Sequence, residues 1–235
     1  MTLTSGCPYN CTYCCVSKIH PAFTHRPLAE CIADLEFLLA RRVKEIAFYD
    51  DAILYQPQKL LIPFLEYIIA KNIKTNFHSP NGLAARYIKP QIADLMVKAG
   101  FKTFYLGFES NSEKWQKQTG SKIFAKELAD AVTNLKNAGA QPNNITAYQI
   151  LGHPSAKTQQ LEESMKFANS LNIKIMLADF SPIPQTPDGQ KCKKWISLEN
   201  PIEHNKTAFP ITLLGNKEVN RLKNLCRTLN RSLAK

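Results

Sequence analysis

Hydrophobic residues recur along the chain in two alternating patterns. Short apolar runs, such as those at 44–49 and 145–151, are typical of buried strands. Between these runs, apolar residues recur every three or four positions, as at 28–39 and 60–68, which is the spacing of an amphipathic helix. The two patterns predict strands at 2–5, 44–49, 74–78, 103–108, 145–151 and 173–180, and helices at 27–39, 57–70, 90–99, 125–138 and 161–171.

Strands that alternate with helices of about ten to fifteen residues indicate parallel βαβ units. The predicted fold class is therefore α/β, as a partial (β/α)6 barrel that resembles a TIM barrel, and right-handed crossovers place all strand ends on one rim. We expect residues 1–180 to form this core. Residues 181–235 are predicted to be a C-terminal extension, a loop and an amphipathic helix over 217–233 packed on the core.

Polar residues directly follow the predicted strands, where a barrel carries its chemistry. The candidates at these strand ends are Asp50 and Asp51 after the second strand, His78, Asn81 and Gly82 at the third, Gly107, Glu109 and Ser110 at the fourth, and Gly152, His153 and Pro154 at the fifth.

Three of the seven cysteines stand in one loop after the first predicted strand. Cys7, Cys11 and Cys14 have the spacing C-x3-C-x2-C, and soft thiolates select zinc, copper(I) or iron–sulfur clusters. A structural zinc site normally has four protein ligands, whereas three thiolates leave one iron of a four-iron cluster open to another molecule. The alternatives are a zinc knuckle without its second pair, or reduced core thiols.

The other cysteines are predicted to have no cluster role. Cys15, Cys31 and Cys226 are expected to pack against neighbours. Cys192 stands between lysines in a predicted loop, so it is either an ordinary surface thiol or a reactive one whose pKa the cations lower. An odd number of cysteines argues against a secreted disulfide scaffold and favours the reducing cytoplasm.

Composition is that of an ordinary soluble protein, with 44% hydrophobic and 21% charged residues among 235 and no run long enough to span a membrane. The formal net charge of +11 admits nucleic acid, anionic lipid or an acidic partner, although solvated lysines are the simpler interpretation. A basic face of the final predicted helix carries Lys223, Arg227, Arg231 and Lys235.

The cysteine loop, with Tyr13 before its last cysteine, resembles the cluster motif of the radical S-adenosylmethionine (radical SAM) superfamily. In that family three cysteines hold a 4Fe–4S cluster whose fourth iron binds the amino and carboxylate groups of S-adenosylmethionine. One electron then cleaves the sulfonium to methionine and a 5′-deoxyadenosyl radical, which abstracts hydrogen from a substrate. The resemblance implies that Cys7, Cys11 and Cys14 are the iron ligands and that Tyr13 packs near the adenine, the alternative for Tyr13 being loop packing.

The same resemblance implies roles for the strand ends. Asp50 or Asp51 would accept hydrogen bonds from the methionyl ammonium, unless the pair caps a turn. Within the Gly107-containing GFES block, Glu109 would bind ribose hydroxyls or the ammonium, and Ser110 would support the carboxylate. Asn81, Gly152 and Pro154 resemble adenosine contacts, with simple turns as the alternative. His78 and His153 are candidates for proton donors or substrate contacts, or are simply hydrogen-bonded.

The motifs FYDD, NG, GFES, GHP, SPIPQT and PIEHNKTAFP resemble a branch of the superfamily that commonly carries a cobalamin-binding domain upstream. These 235 residues contain no such domain, so the resemblance implies cobalamin only where another domain or chain supplies it. Gln185 stands where members often have the glycine of PIPGT, which predicts a different backbone there.

The resemblance also implies an electron donor such as flavodoxin or ferredoxin, and no membrane. It leaves the substrate open, together with the choice between methyl transfer and oxidoreductase or lyase chemistry. The alternative is a catalytically incomplete module that binds RNA or a partner, such as a cobalamin-domain chain, through its basic surface.

Overall fold

The computed structural model describes residues 1–20 and 22–233, so Lys235 of the predicted basic face lies outside the described residues, as do Pro21 and Ala234. The described chain is an α/β fold, which confirms the predicted class. Its strands are β1 (Thr4–Ser5), β2 (Thr24–His25), β3 (Glu45–Ala47), β4 (Asn76–Leu83), β5 (Phe101–Glu109), β6 (Ile145–Leu151) and β7 (Lys174–Asp179). Its helices are α1 (Val16–Ile19), α2 (Leu28–Ala40), α3 (Leu61–Ala70), α4 (Pro90–Ala99), α5 (Glu113–Thr119), α6 (Ala125–Asn137), α7 (Thr158–Ser170), α8 (Pro187–Lys191), α9 (Ala208–Leu214) and α10 (Asn216–Ser232).

Strands β3 to β7 form a parallel sheet in chain order, as βαβ units dictate. Among the described residues this sheet has five strands, one fewer than predicted. The predicted first strand instead forms a two-stranded antiparallel pair, β1 with β2. Before this pair, Met1 bonds to the backbone at β3 and just after it, donating to Ala47 O over 2.7 Å and accepting from Tyr49 N over 3.1 Å. The amides of Leu3 and Thr4 bond to the side chain of Asp50 instead of to a strand.

Strand β4 is longer than predicted, so Asn81 and Gly82 lie inside it rather than after it. Its pairing with β5 is irregular there, because Ser79 pairs with Phe104 but the next pair is Leu83 with Leu106. Pro80 falls in this interval and has no N–H to donate, which interrupts the ladder. The backbone pairing of β4 with β5 is therefore broken between Ser79 and Leu83.

The long helices match their predictions closely because each has a continuous apolar face. Helix α4 has the predicted bounds, and Gly100 ends it with the expected left-handed φ of 103°. The sequence pattern missed α1, α5, α8 and α9, which have seven residues or fewer, too few for an apolar face to recur over several turns. Among the described helices, none is both long enough and apolar enough to cross a membrane.

The described residues group into two compact units that interleave along the chain. The first contains Met1–Pro8, Val16–Gly107 and Lys126–Thr146, and stacked or tilted phenylalanines, including Phe48, Phe77 and Phe101, fill its core. The second contains Tyr9–Cys15, Phe108–Ala125 and Ala147–Lys235. Its core includes Phe180 and Phe209, whose rings pack edge to face at 5.7 Å.

Candidate functional site

Cys11 and Cys14 stand in the second unit, in a segment that backbone hydrogen bonds fix at several points. Cys14 N donates to Cys11 O over 3.0 Å, which closes a turn between the two cysteines. Thr12 N donates to Thr119 O at the end of α5 over 3.1 Å. Cys7 belongs to the first unit. We refer to residues 9–15 as the cluster loop.

Gly120 allows the end of α5 to approach the cluster loop closely. A Cβ at this position would lie 3.0 Å from the Cα of Cys11 and 3.3 Å from its Sγ, and the glycine has a φ of 128°. Both facts require glycine here. Burial raises the pKa of the Cys11 thiol to about 11, although the nearby Lys122 cation lowers it. The Cys11 side chain is largely shielded from water by the surrounding residues.

Glu109 ends β5 in a backbone conformation that is rare for glutamate, with a φ of 57°. The side chain is buried, and among the described residues its Oε2 atom has no hydrogen-bond partner. The Nζ of Lys122 lies 3.6 Å from Oε1, which places a cation beside the carboxylate. An unpartnered buried carboxylate oxygen is costly and calls for a ligand.

The side chain of Gln116, in α5, holds the backbone turn at Glu109 in place. Its buried side-chain amide donates to Phe108 O over 2.6 Å and to Ser110 O over 2.8 Å, the two carbonyls that flank the glutamate. Ser112 caps α5 by accepting from Trp115 N. The Ser110 hydroxyl accepts from Ser112 N, so it is already used in this turn.

Tyr13 packs against two other rings of the second unit. It stacks on Trp115 with centroids 5.9 Å apart and meets His153 edge-on at 6.1 Å. Burial raises the pKa of Tyr13 well above its ordinary value, and the Glu109 charge adds to this shift. The structure thus places Tyr13 near Glu109, with Trp115 covering one face of its ring.

His153 lies inside the protein and not on an accessible rim, so the prediction of a substrate-facing histidine is not supported. Its side chain and that of Asp188 are both 0% exposed, with Nε2 of His153 3.0 Å from Oδ2 of Asp188. Nδ1 accepts from the Trp115 indole and from Ser155 N. These bonds assign the proton to Nε2, which donates to Asp188.

Asp188, at the start of α8, is a residue that sequence reasoning missed. It accepts from the Thr12 hydroxyl, from His153, and from Lys191 Nζ over 2.6 Å. Burial alone would raise the pKa of Asp188, but these three hydrogen bonds outweigh burial and hold the pKa well below its ordinary value.

In the first unit, Asp50 is buried and only half satisfied. Its Oδ1 accepts from Leu3 N over 2.8 Å, from Thr4 N and from the Thr4 hydroxyl. Oδ2 is buried and has no partner among the described residues. Burial raises the pKa of Asp50 above its ordinary value, because its hydrogen bonds only partly compensate. The Asn81 amide donates to the carbonyls of Tyr49 and Asp50, so Asn81 holds this segment in place.

The remaining candidates at the strand ends differ in their burial and in their contacts. Asp51 and Pro154 are half-buried, and Gly107 is buried within β5. A Cβ on Gly152 would lie 2.8 Å from the Cβ of Pro210, so close packing against Pro210 favours glycine at this position. His78 bonds through Nε2 to Glu45 over 2.6 Å and through Nδ1 to Thr103 over 3.0 Å, which matches the simply hydrogen-bonded alternative.

Both predictions for Cys192 were wrong, because it is neither an ordinary surface thiol nor a thiol whose pKa the neighbouring lysines lower. It is fully buried beside Phe180 and Phe209, and its thiol donates to Asp188 O over 3.2 Å. Burial raises the pKa of Cys192 to about 12, and the lysine charges only partly oppose this. Cys31 and Cys226 are buried as predicted, and Cys15 is half-buried.

In the part of the chain that the structure describes, no three His, Cys, Asp or Glu side chains are already gathered as a metal-binding set, and no disulfide joins the cysteines. The residues nevertheless fit a thiolate-bound cluster in chemistry. They supply three soft ligands, a glycine that leaves room at Cys11, and an unpartnered carboxylate oxygen on Glu109. Lys122, which the sequence reading missed, adds a cation.

Comparison with known protein families decides the membership. The model of the radical SAM superfamily matches residues 1–168, well over half of the chain. The chain belongs to the radical SAM superfamily. Among curated proteins, no sequence matches this radical SAM chain.

Solved structures share the fold at low identity. TsrM, a radical S-adenosylmethionine methyltransferase from Kitasatospora setae with tryptophan and a cofactor analogue bound, is 14% identical with a TM-score of 0.70, over 83% of this chain and 38% of TsrM. The cobalamin-dependent S-adenosylmethionine radical enzyme OxsB is 14% identical with a TM-score of 0.62, and the match covers 97% of this chain and 35% of OxsB. Coproporphyrinogen III oxidase (HemN) from Escherichia coli is 13% identical with a TM-score of 0.61, and the match covers 94% of this chain and 51% of HemN. The chain spans little more than a third of the length of TsrM and OxsB.

Proposed function

We propose that this protein is an enzyme that binds a 4Fe–4S cluster and cleaves S-adenosylmethionine reductively. Family membership supports the general chemistry. The observation that carries the proposal is the buried Oε2 of Glu109, which has no hydrogen-bond partner among the described residues, on a carboxylate that lies beside Lys122 in the same unit as the cluster loop. The bound cluster would supply the electron that cleaves the sulfonium and releases a 5′-deoxyadenosyl radical for hydrogen abstraction.

Cys7, Cys11 and Cys14 are the proposed ligands of this cluster. Three thiolates match the need of a cluster that leaves one iron to the cofactor. Cys11 has a thiol that is protonated in the absence of metal because burial raises its pKa, so cluster binding must release a proton. The cluster loop holds Cys11 and Cys14 through the turn between them.

Glu109 and Lys122 are the proposed contacts for the charged groups of S-adenosylmethionine. The free oxygen of Glu109 can accept from an ammonium or from ribose hydroxyls, and Lys122 can donate to a carboxylate. Gln116 keeps Glu109 in its left-handed turn. The two side chains would then recognise a zwitterion by opposite charges.

The other proposed contacts follow the sequence motifs. Asp50 has one buried oxygen without a described partner, which suits an ammonium or hydroxyl donor. Tyr13 is a proposed adenine contact with weaker support, because Trp115 stacks on its ring and the core around Phe180 and Phe209 packs against it. Further candidates with weaker support are Asp51, Asn81, Gly107, Ser110, Gly152 and Pro154.

The reaction after radical formation is left open, with methyl transfer, oxidoreduction and lyase chemistry as candidates. TsrM and OxsB are cobalamin-associated by their descriptions, so a separate cobalamin-binding chain is a candidate partner. A flavodoxin or ferredoxin is the proposed electron donor. The RNA-binding alternative on the basic face of α10 stays a prediction.

The direct test is product analysis after anaerobic reconstitution with iron and sulfide. With dithionite and S-adenosylmethionine, the protein is expected to release 5′-deoxyadenosine and methionine in equal amounts. Cys11→Ala is the matched control and should release neither. Absence of 5′-deoxyadenosine from a protein with a full iron and sulfide content would contradict the proposal.

A further inference from the structure

We propose that Asp188 and His153 are positioning residues that hold the cluster loop, acting through Thr12 and Tyr13. Asp188 lies beyond the family match, which ends at residue 168, whereas His153, Thr12 and Tyr13 lie within it. Its meaning for catalysis rests on the proposed function, because the loop matters as a ligand carrier only if a cluster binds. The geometry of the loop anchor itself is independent of any cofactor.

The first contact is a two-way bond between Thr12 and Asp188. The Thr12 hydroxyl donates to Oδ2 of Asp188, and Asp188 N donates to Thr12 O over 3.0 Å. Thr12 lies between the second and third ligand cysteines, at a separation of 176 residues from Asp188. Both its side chain and its carbonyl are thus fixed by one residue of the C-terminal segment.

The second contact fixes the ring of Tyr13. His153 donates to Asp188 and meets Tyr13 edge-on, while the Trp115 ring stacks on Tyr13 and its indole N–H donates back to His153. The imidazole is therefore locked by bonds on both nitrogens. Thr12 and Tyr13, which stand between the ligands Cys11 and Cys14, are both held by this one buried network.

Neighbouring groups of the protein satisfy the Asp188 carboxylate, whose side chain is fully buried. Both of its oxygens accept hydrogen bonds, and the Lys191 ammonium, 2.6 Å from Oδ1, offsets its charge. A buried ionised group that is fully bonded inside the protein acts as a rigid anchor and not as an acid or base. Asp188 and His153 are positioning residues on this account, without contact to reacting atoms.

Hydrogen–deuterium exchange of the metal-free protein tests the anchor directly. Thr12→Val removes only the hydroxyl bond to Asp188, and Asp188→Asn weakens both loop contacts. Each variant is expected to speed exchange of the amides of residues 9–15 about ten-fold, the factor that corresponds to one lost hydrogen bond. Lys223→Met is the matched control, because it removes a 2.7 Å ion pair with Asp179 elsewhere in the same unit.

A second readout uses the reconstituted protein. Loss of the cluster to an iron chelator, followed by its absorbance, should be about ten-fold faster in Thr12→Val than in the wild type or Lys223→Met. Unchanged exchange at residues 9–15 in both variants would overturn the proposal. So would an equal increase across α2 and α6, since that result would mean global destabilisation. If the loop loosens as predicted but no cluster ever assembles, the anchor stands and the proposed function fails.

Discussion

The second unit contains two buried carboxylates that differ in how far their neighbours satisfy them. Asp188 accepts three side-chain hydrogen bonds and has no oxygen to spare. Glu109 has one cation at 3.6 Å, and its Oε2 has no partner among the described residues. A buried oxygen without a partner costs stability, and this difference is the basis for proposing Asp188 as a structural anchor and Glu109 as a ligand contact.

Asp50 of the first unit stands between these two cases. One oxygen accepts three hydrogen bonds from Leu3 and Thr4, and the other is buried without a described partner. Its pKa is raised by burial, whereas the pKa of Asp188 is lowered because its bonds outweigh burial. The comparison therefore predicts opposite pH behaviour for two buried aspartates of one chain.

The largest expected effect is on stability at Asp188. Asp188→Ala leaves His153 and Thr12 without their buried acceptor and should lower the free energy of unfolding by about 3–5 kcal/mol. Urea denaturation of the metal-free protein measures this change. Asp130→Ala, which removes an exposed ion pair with Lys126, is the control and should have a far smaller effect. Equal effects of the two substitutions would contradict the role of Asp188 as an anchor.

Glu109→Gln, in contrast to Asp188→Ala, should lower the affinity for S-adenosylmethionine and leave the free energy of unfolding nearly unchanged. Removal of the negative charge is expected to weaken binding of S-adenosylmethionine by about ten- to a hundred-fold, the range of a hydrogen bond to a charged group. Calorimetric titration of the reconstituted protein measures the affinity. Glu113→Gln, at the exposed start of α5, is the matched control. Wild-type affinity in Glu109→Gln would remove this residue from the site.

The two aspartates should respond to acid with opposite signs. The lowered pKa of Asp188 gives stability that is present above its ordinary value of 3.8 and is lost as the pH falls below it. The raised pKa of Asp50 means that the folded state binds the proton more tightly, so its cost to stability disappears as the pH falls towards 3.8.

Urea unfolding of the wild type, Asp188→Asn and Asp50→Asn between about pH 7 and pH 3 separates these contributions. The advantage of the wild type over Asp188→Asn should shrink at the acid end. The wild type should gain relative to Asp50→Asn over the same range. Parallel pH profiles for the two variants would show that the two carboxylates are equally satisfied.

The smallest effect concerns Gln185, two residues before Pro187 of α8. Its φ of 68° is a left-handed conformation that favours glycine, the residue that family members often have at this position. Gln185→Gly should raise the free energy of unfolding by roughly 0.5–1 kcal/mol by removing the Cβ strain. Gly152→Ala, at a φ of 81° and 2.8 Å from Pro210, should lower it. A loss of stability in Gln185→Gly would show that the glutamine side chain contributes bonds that outweigh the strain.

The alternation of long helices and strands made the fold class predictable, because each element carries its own periodic pattern. The pairing of β1 with β2 was not predictable in this way, since the amides of Leu3 and Thr4 donate to the Asp50 side chain and not to a strand of the parallel sheet. Gln185 shows the same limit, because Thr186 bonds to Ile183 and Gly189 and holds the turn against the preference of glutamine.

The candidate site was predictable where a short motif carries it, as for the cysteines and Glu109. Lys122 and Asp188 were missed because nothing near them in the sequence distinguishes them from solvated surface charges. Asp188 gains its role from Thr12, 176 residues away, and Lys122 from a glutamate at the end of another element. Cys192 was misread for the converse reason, since burial outweighs the lysines beside it.

Electron paramagnetic resonance of the anaerobically reconstituted and reduced protein, with and without S-adenosylmethionine, tests the central claim most directly. We predict a four-iron signal that shifts when the cofactor is added, because the cofactor binds the iron that no cysteine holds. The shift should be weakened in Glu109→Gln and retained in Glu113→Gln. A zinc-filled protein, or a cluster signal that the cofactor leaves unchanged, would contradict the account.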